Sequence, residues 1–279
     1  YPKNLKEGGY SVDVRYHGDQ YDNYRSVLVE SYFTVSKAKV NVTIDVNDTV
    51  YGNASDIVVY VDDGVEGSIT IRINDNLIGN YTIVDGKVNV TVKLDAGSYT
   101  VHAEYNGNYK YSVNKTESKH FTVGKATPVI NINTPDAIDA ATNATIIVRI
   151  NETATGNITI TVNGTKYNAT IENGFATFTI DQLIAGQYDI TAEYDGDGNY
   201  TAATPVTLQN GLEVTKVSCY QINVTANDTK VDLNTTIIVK VPADATGNVS
   251  IYVDGVFVGN ATISQGIAQL NITRPYGNH

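Results

Sequence analysis

Apolar and polar residues alternate strictly along parts of the chain, reading ATIIVRIN at 144–151 and GFATFTI at 174–180. A period of two puts successive side chains on opposite faces of an extended backbone, which predicts half-buried antiparallel strands. Ile146, Val148 and Ile150 then share the inward face. Gly, Asn and Asp interrupt these runs. Asn163-Gly164 and Asp254-Gly255 predict two-residue hairpin turns, because both residue types accept positive φ, and Asp75-Asn76 sits in the equivalent place. Leu, Ala, Glu and Lys never cluster at helical spacing, so no helix longer than a turn is predicted.

The pattern repeats. Gly-x-aromatic occurs at Gly8/Tyr10, Gly97/Tyr99 and Gly186/Tyr188 and returns as Gly277/His279, with glycine spacings of 89, 89 and 91. A second aromatic follows six residues later, at Tyr16, Tyr105 and Tyr194. The closing strands end in Phe33-Thr34-Val35, Phe121-Thr122-Val123 and Leu212-Glu213-Val214, and Lys37, Lys125 and Lys216 follow them. A mid-repeat strand recurs as GSITI at 67–71, GNITI at 156–160 and GNVSI at 247–251. About seven short strands in about 90 residues, without helices, predict an all-β fold of tandem immunoglobulin-like Greek-key β-sandwich repeats.

The pattern L-x-x-G-x-Y, in Leu94–Tyr99, Leu183–Tyr188 and Leu5–Tyr10, marks a tyrosine corner at the entry to strand F. Tyr10, Tyr99 and Tyr188 are the expected corner residues. His279 takes the fourth place, which puts that corner in question. The segments AEYDGDGNYTAAT (192–204), AEYNGNYKYSVNKT (103–116) and VRYHGDQYDNY (14–24) each join an alternating strand to a glycine turn and a tyrosine. In these segments the chain resembles the bacterial immunoglobulin-like domains strung along adhesin-like surface proteins of methanogenic archaea. That resemblance implies a non-enzymatic, extracellular structural or adhesion role, with the repeats acting as a rigid stalk.

The repeat divides the sequence into a partial repeat at 1–36 (strands F and G), full repeats at 37–124 and 125–215, and a second partial repeat at 216–279 (strands A to E). Residues 216–279 and 11–36 together have the length of one repeat. Two readings of the ends follow. In one, the chain is a segment of a longer array. In the other, residues 1–36 complete the 216–279 sandwich of the next copy, a head-to-tail filament built by donor-strand complementation. The chain contains no Met and no signal peptide, so it is expected to begin after a cleavage or inside a longer chain.

Composition narrows the function classes. A net charge of −11 excludes a nucleic-acid partner, which needs a basic face, and fits a solvated exterior surface. The single cysteine, Cys219, makes no internal disulfide. No segment has the length and apolarity of a membrane span. The expected partners are other copies or further repeats of the same array, with cell-surface glycans or other cells meeting the larger assembly.

The sequon N-x-[ST] occurs 18 times. In a strand, residues i and i+2 share a face, so an Asn and Thr surface generates sequons by itself. Real glycan acceptors are expected in loops, and the candidates are Asn53, Asn114, Asn199, Asn143, Asn163 and Asn234. Asp195–Asn199 opens like a calcium loop, but its twelfth position is Val206, so it is read as a polar turn. The histidines 17, 102, 120 and 279 lack metal-site spacing, and no nucleophile, phosphate-loop or zinc-protease motif occurs. No cofactor is expected. Lys37, Lys125 and Lys216 are read as solvated linker residues. A carbohydrate-binding accessory module is the remaining alternative, resting on the turn tyrosines Tyr21, Tyr24, Tyr109 and Tyr111.

Overall fold

The computed structural model describes residues 5–21, 23–116, 118–140, 142–181, 183–230 and 233–273. Every regular element among them is a strand. The described parts of 1–133, 146–178 and 190–208 form one compact unit, and those of 134–145, 179–189 and 209–279 a second.

The first element is a hairpin. β1 (Gly8–Tyr16) and β2 (Val27–Val35) pair antiparallel, from Gly8 opposite Val35 to Tyr16 opposite Val27. Among the described residues this sheet has two strands.

The first complete sandwich contains β3 (Val42–Val46), β4 (Thr49–Val50), β5 (Ser55–Val61), β6 (Ser68–Ile73), β7 (Asn76–Thr82), β8 (Lys87–Val92), β9 (Gly97–Tyr105), β10 (Asn114–Lys115) and β11 (Lys119–Gly124). One sheet has the order β3-β5-β8. The other has the order β4-β11-β9-β6-β7, with β10 on β9. The first strand of the domain therefore divides between sheets, β3 joining one and β4 running parallel to β11 in the other. The chain crosses repeatedly between the sheets, which is Greek-key topology. Alternation buries one face of each sheet: Ile57 and Val59 join Ile69, Ile71, Val101 and Ala103 in one core. The intervening Asp56 and Arg72 are exposed.

The second repeat contains β12 (Asn131–Asn133), β13 (Ala137–Asp139), β14 (Ala144–Arg149), β15 (Asn157–Val162), β16 (Thr165–Thr170), β17 (Phe175–Ile180), β18 (Gly186–Tyr194) and β19 (Val206–Thr215). Its sheets, β12-β14-β17 and β13-β19-β18-β15-β16, keep the same order. Register is also kept: Ile69 faces Tyr105 in the first sandwich and Ile158 faces Tyr194 in the second. Ile146, Val148 and Ile150 are buried. The tandem immunoglobulin-like sandwich is thus the fold of the chain.

The hairpin turn between the central strands differs from the expected one at one copy. Ile73 pairs with Asn76, leaving Asn74 and Asp75 as the loop, both with positive φ. The turn therefore lies one residue before Asp75-Asn76. It matches Asn163-Gly164 and Asp254-Gly255, which have Val162 opposite Thr165 and Val253 opposite Val256. Asn and Asp tolerate the left-handed region through local side-chain hydrogen bonds, so a turn without glycine is still formed.

The last strands are β20 (Asn223–Ala226), β21 (Asn234–Lys240), β22 (Asn248–Val253), β23 (Val256–Thr262) and β24 (Ile267–Thr273). They form a sheet β20-β21-β24 and a two-stranded sheet β22-β23. The core they share is small, five buried residues against sixteen in the first sandwich. His279 lies outside the described residues.

Each described strand-F entry carries a phenol hydrogen bond. The hydroxyls of Tyr10, Tyr99 and Tyr188 donate to the carbonyls of Lys6, Asp95 and Ile184 at 2.7, 2.9 and 2.8 Å. Removing one such bond costs on the order of 1 kcal/mol, whereas emptying a core position costs roughly 3 kcal/mol. Tyr99→Phe is therefore expected to lower the opening free energy of first-sandwich amides by about 1 kcal/mol and Ile71→Ala by about 3 kcal/mol, read by native-state hydrogen exchange. Equal effects of the two would contradict this ranking.

Candidate functional site

The most regular polar structure lies where strand F turns toward strand G. Tyr105 and Tyr194 are buried at the ends of β9 and β18. Their hydroxyls donate to the carbonyls of Glu66 and Thr155, at 2.9 and 3.0 Å. Burial raises both phenol pKa values above the ordinary range, so both remain neutral donors. Two residues after each tyrosine, Gly107 and Gly196 adopt φ of 77° and 87°. A Cβ at Gly196 would stand 2.8 Å from the Tyr200 carbonyl, so the position requires glycine.

The next residue caps the turn. Asp197 Oδ1 accepts from the amides of Asn199 and Tyr200, and Oδ2 from the amide and hydroxyl of Thr155. Asn108 has the same place in the first sandwich, where its Oδ1 accepts from the amides of Lys110 and Tyr111. Burial alone would raise the Asp197 pKa, but the donors on its oxygens outweigh burial and lower it to about 2. The Asp197 carboxylate of the calcium-like sequence therefore accepts from the amides of its own turn and from Thr155. No group of three or more acidic, His or Cys side chains able to hold a metal occurs among the described residues. Lys125 is exposed, but it is not free. Its ammonium donates to the Asp197 carbonyl. Lys37 lies 3.8 Å from Glu7.

Asn199 reaches from this turn to the corner of the preceding repeat. Its Nδ2 donates to Asp95 Oδ1 at 3.1 Å, and its Oδ1 accepts from the Ala96 amide at 2.8 Å. Beside it Tyr200 packs edge-on against Tyr51, with ring centroids 5.4 Å apart. Tyr200 also shares a 2.7 Å hydrogen bond with Thr153. An open cleft of about 530 Å³ lies here, lined in part by Lys93, Asp95 and Tyr99.

The six candidate acceptors fall in two groups. Asn53, Asn143, Asn163 and Asn234 are exposed. Asn114 and Asn199 are half-buried, and their Nδ2 atoms donate to the Val40 carbonyl and Asp95 Oδ1. Several strand sequons pair across the sheet instead: Thr159 donates to Asn168 Oδ1, Ser250 to Asn260 Oδ1 and Thr236 to Asn271 Oδ1. Of the turn tyrosines, Tyr21, Tyr24 and Tyr109 are exposed, but Tyr111 packs against the first core. The Asn199 bridge escapes sequence reasoning because its partners lie about a hundred residues away and no short motif encodes them.

Because the folded pKa of Asp197 is depressed, its stabilisation is complete above about pH 4, the unfolded value. It is lost as pH falls through about 2. Amide protection in the second sandwich is expected to decline across that window, and Asp197→Asn is expected to flatten the decline. An unchanged slope in the variant would assign the acid sensitivity to other carboxylates.

Residues 131–210 match the family model described as "Bacterial Ig-like domain (group 3)". No curated protein sequence matches the chain. Among solved structures, it is similar to the fibronectin(III)-like modules of Clostridium thermocellum CbhA, at 16% identity over 63% of this chain and 95% of that one, TM-score 0.28. It is also similar to a marsupial T cell receptor, at 10% identity over 84% and 100% of the two chains, TM-score 0.29. A third similar structure is SGBP-B of the Bacteroides ovatus mixed-linkage glucan utilization locus, at 15% identity over 83% and 58%, TM-score 0.24. The matched stretch, the second repeat of the chain, supports its reading as an immunoglobulin-like repeat domain.

Proposed function

We propose that the chain is a non-enzymatic spacer of an extracellular, N-glycosylated surface protein, in which immunoglobulin-like repeats hold an adhesive part away from the cell. The observation that carries this reading is Asn199. Its side-chain amide uses both ends on the corner of the preceding repeat, which restricts the hinge between consecutive domains. A spacer is served by such restriction, because interdomain motion is otherwise the default. The acidic surface and the sequon density support the exterior placement. Glycans are assigned to Asn53, Asn143, Asn163 and Asn234, whose side chains are exposed. Asn114 and Asn199 are set aside, because the nitrogen a glycan would need is already bonded.

Two measurements test this. Spin labels at positions 87 and 166, in a Cys219→Ser background, should report one narrow distance distribution that broadens in Asn199→Ala. A broad distribution in the parent chain would remove the spacer argument. Protein taken from its natural source should carry sugar at several of these four exposed asparagines, three outside the strands and Asn234 at the start of β21. An intact mass equal to the bare 30.1 kDa chain would end the glycoprotein reading.

A further inference from the structure

Ser55 opens β5 on the inward face of the strand, the face that also carries Ile57 and Val59, and it is 2% exposed. Among the described residues, its Oγ is the one buried side-chain nitrogen or oxygen without a hydrogen-bond partner. Such a hydroxyl destabilises the fold, because its bonds to water are lost and nothing replaces them. The fold does not require a hydroxyl there. Ala144, 89 residues later, opens β14 in the second sandwich, is fully buried and shares its face with Ile146 and Val148. Any use for the hydroxyl at position 55 therefore lies outside the folded core.

The neighbouring residues supply one. Asn53-Ala54-Ser55 is a sequon, which requires both the acceptor amide and a hydroxyl two residues on. In the folded sandwich these two groups part: Asn53 is exposed and Ser55 is buried. Other sequons keep both groups on the surface. Asn143 and Thr145 are both exposed, as are Asn163 and Thr165. Exposing the Ser55 hydroxyl after folding would break its strand pairing with Val92 and draw Ile57, paired with Val90, toward water. A transferase therefore meets the whole Asn53 sequon only while the start of β5 is unfolded.

We propose that the Ser55 hydroxyl serves modification rather than folding, and that Asn53 receives its glycan before the first sandwich closes. The inference rests on the N-glycosylated reading above and adds the order of events. In the transfer, Nδ2 of Asn53 displaces the diphosphate of a lipid-linked glycosyl donor. A bond forms from Nδ2 to the anomeric carbon. The bond from that carbon to the diphosphate oxygen breaks, its electron pair leaving on the diphosphate, and one Nδ2 proton passes to a base of the transferase. The Ser55 hydroxyl takes no part in these bond changes; it holds the extended segment by a hydrogen bond to the transferase. Once β5 folds, that hydroxyl is withdrawn and the site accepts no sugar. Asn143 and Asn163 remain open to modification in the folded chain.

The test uses the full 279-residue chain made by cell-free synthesis. A detergent-solubilised oligosaccharyltransferase that requires only N-x-[ST] is supplied, with a lipid-linked oligosaccharide, either during synthesis or after folding is complete. Occupancy is read site by site by peptide mass spectrometry. Asn143 and Asn163 should be modified in both orders, and Asn53 only when the enzyme is present during synthesis. Ser55→Ala should abolish modification of Asn53 and raise the protection of first-sandwich amides about tenfold, the effect of removing one unpaired buried hydroxyl. Equal modification of Asn53 in both orders overturns the proposal. So does an Asn53 that stays bare in both orders while Asn143 and Asn163 are modified, or a Ser55→Ala chain whose amides are protected no better than the parent's. Sugar at none of the three sites in either order removes the glycosylation reading itself, and this proposal with it.

Discussion

A phenol inside an apolar core must find an acceptor, and this requirement organises each repeat. Tyr105 and Tyr194 are buried with their rings among isoleucines, and each finds one carbonyl in the turn leading into strand C. Leaving such a hydroxyl unpaired would cost on the order of 1–3 kcal/mol. The bond fixes the distance between the end of strand F and the start of strand C. Once that distance is set, the chain has little room to turn. A glycine with positive φ and an Asx side chain accepting amides then become the fitting residues, as at Gly196-Asp197 and Gly107-Asn108.

Much of this was legible in the sequence. Period two and the recurring Gly-x-Tyr point to sandwich strands, because burial of one sheet face leaves a direct trace in residue order. The Asx caps were half visible: Asp195–Asn199 reads as a polar turn, yet nothing local says that Thr155, about forty residues earlier, supplies two of the donors. Turn register at Asn74-Asp75 was missed by one residue because Asn and Asp are interchangeable in positive φ and three of them are adjacent there. Tyr111 looked like a surface ring in a turn, but the turn folds back over the core. The Asn199 bridge had no local signature at all.

The sequons show how one pattern can have two physical origins. Thr159 with Asn168, and Thr236 with Asn271, are cross-strand partners joined by hydrogen bonds. Such pairs contribute to sheet stability in their own right. An Asn-x-Thr string in a strand therefore records solvent-face pairing, and only side-chain exposure and the state of Nδ2 separate acceptors from sheet residues.

The parallel pairing of β4 with β11 has a mechanical consequence. Thr49 and Val50 near the start of the first sandwich lie beside Val123 and Gly124 at its end, and both strands run in the same direction. Tension applied through the two ends of that domain pulls these strands past each other along their length. Their hydrogen bonds are then loaded together, in shear, rather than opened one after another as in a pulled hairpin. β13 and β19 repeat the arrangement, from Ala137 beside Glu213 to Asp139 beside Thr215. Resistance to pulling is set by the unfolding rate under force rather than by equilibrium stability. A sandwich of modest thermodynamic stability can thus hold against a short, strong tug.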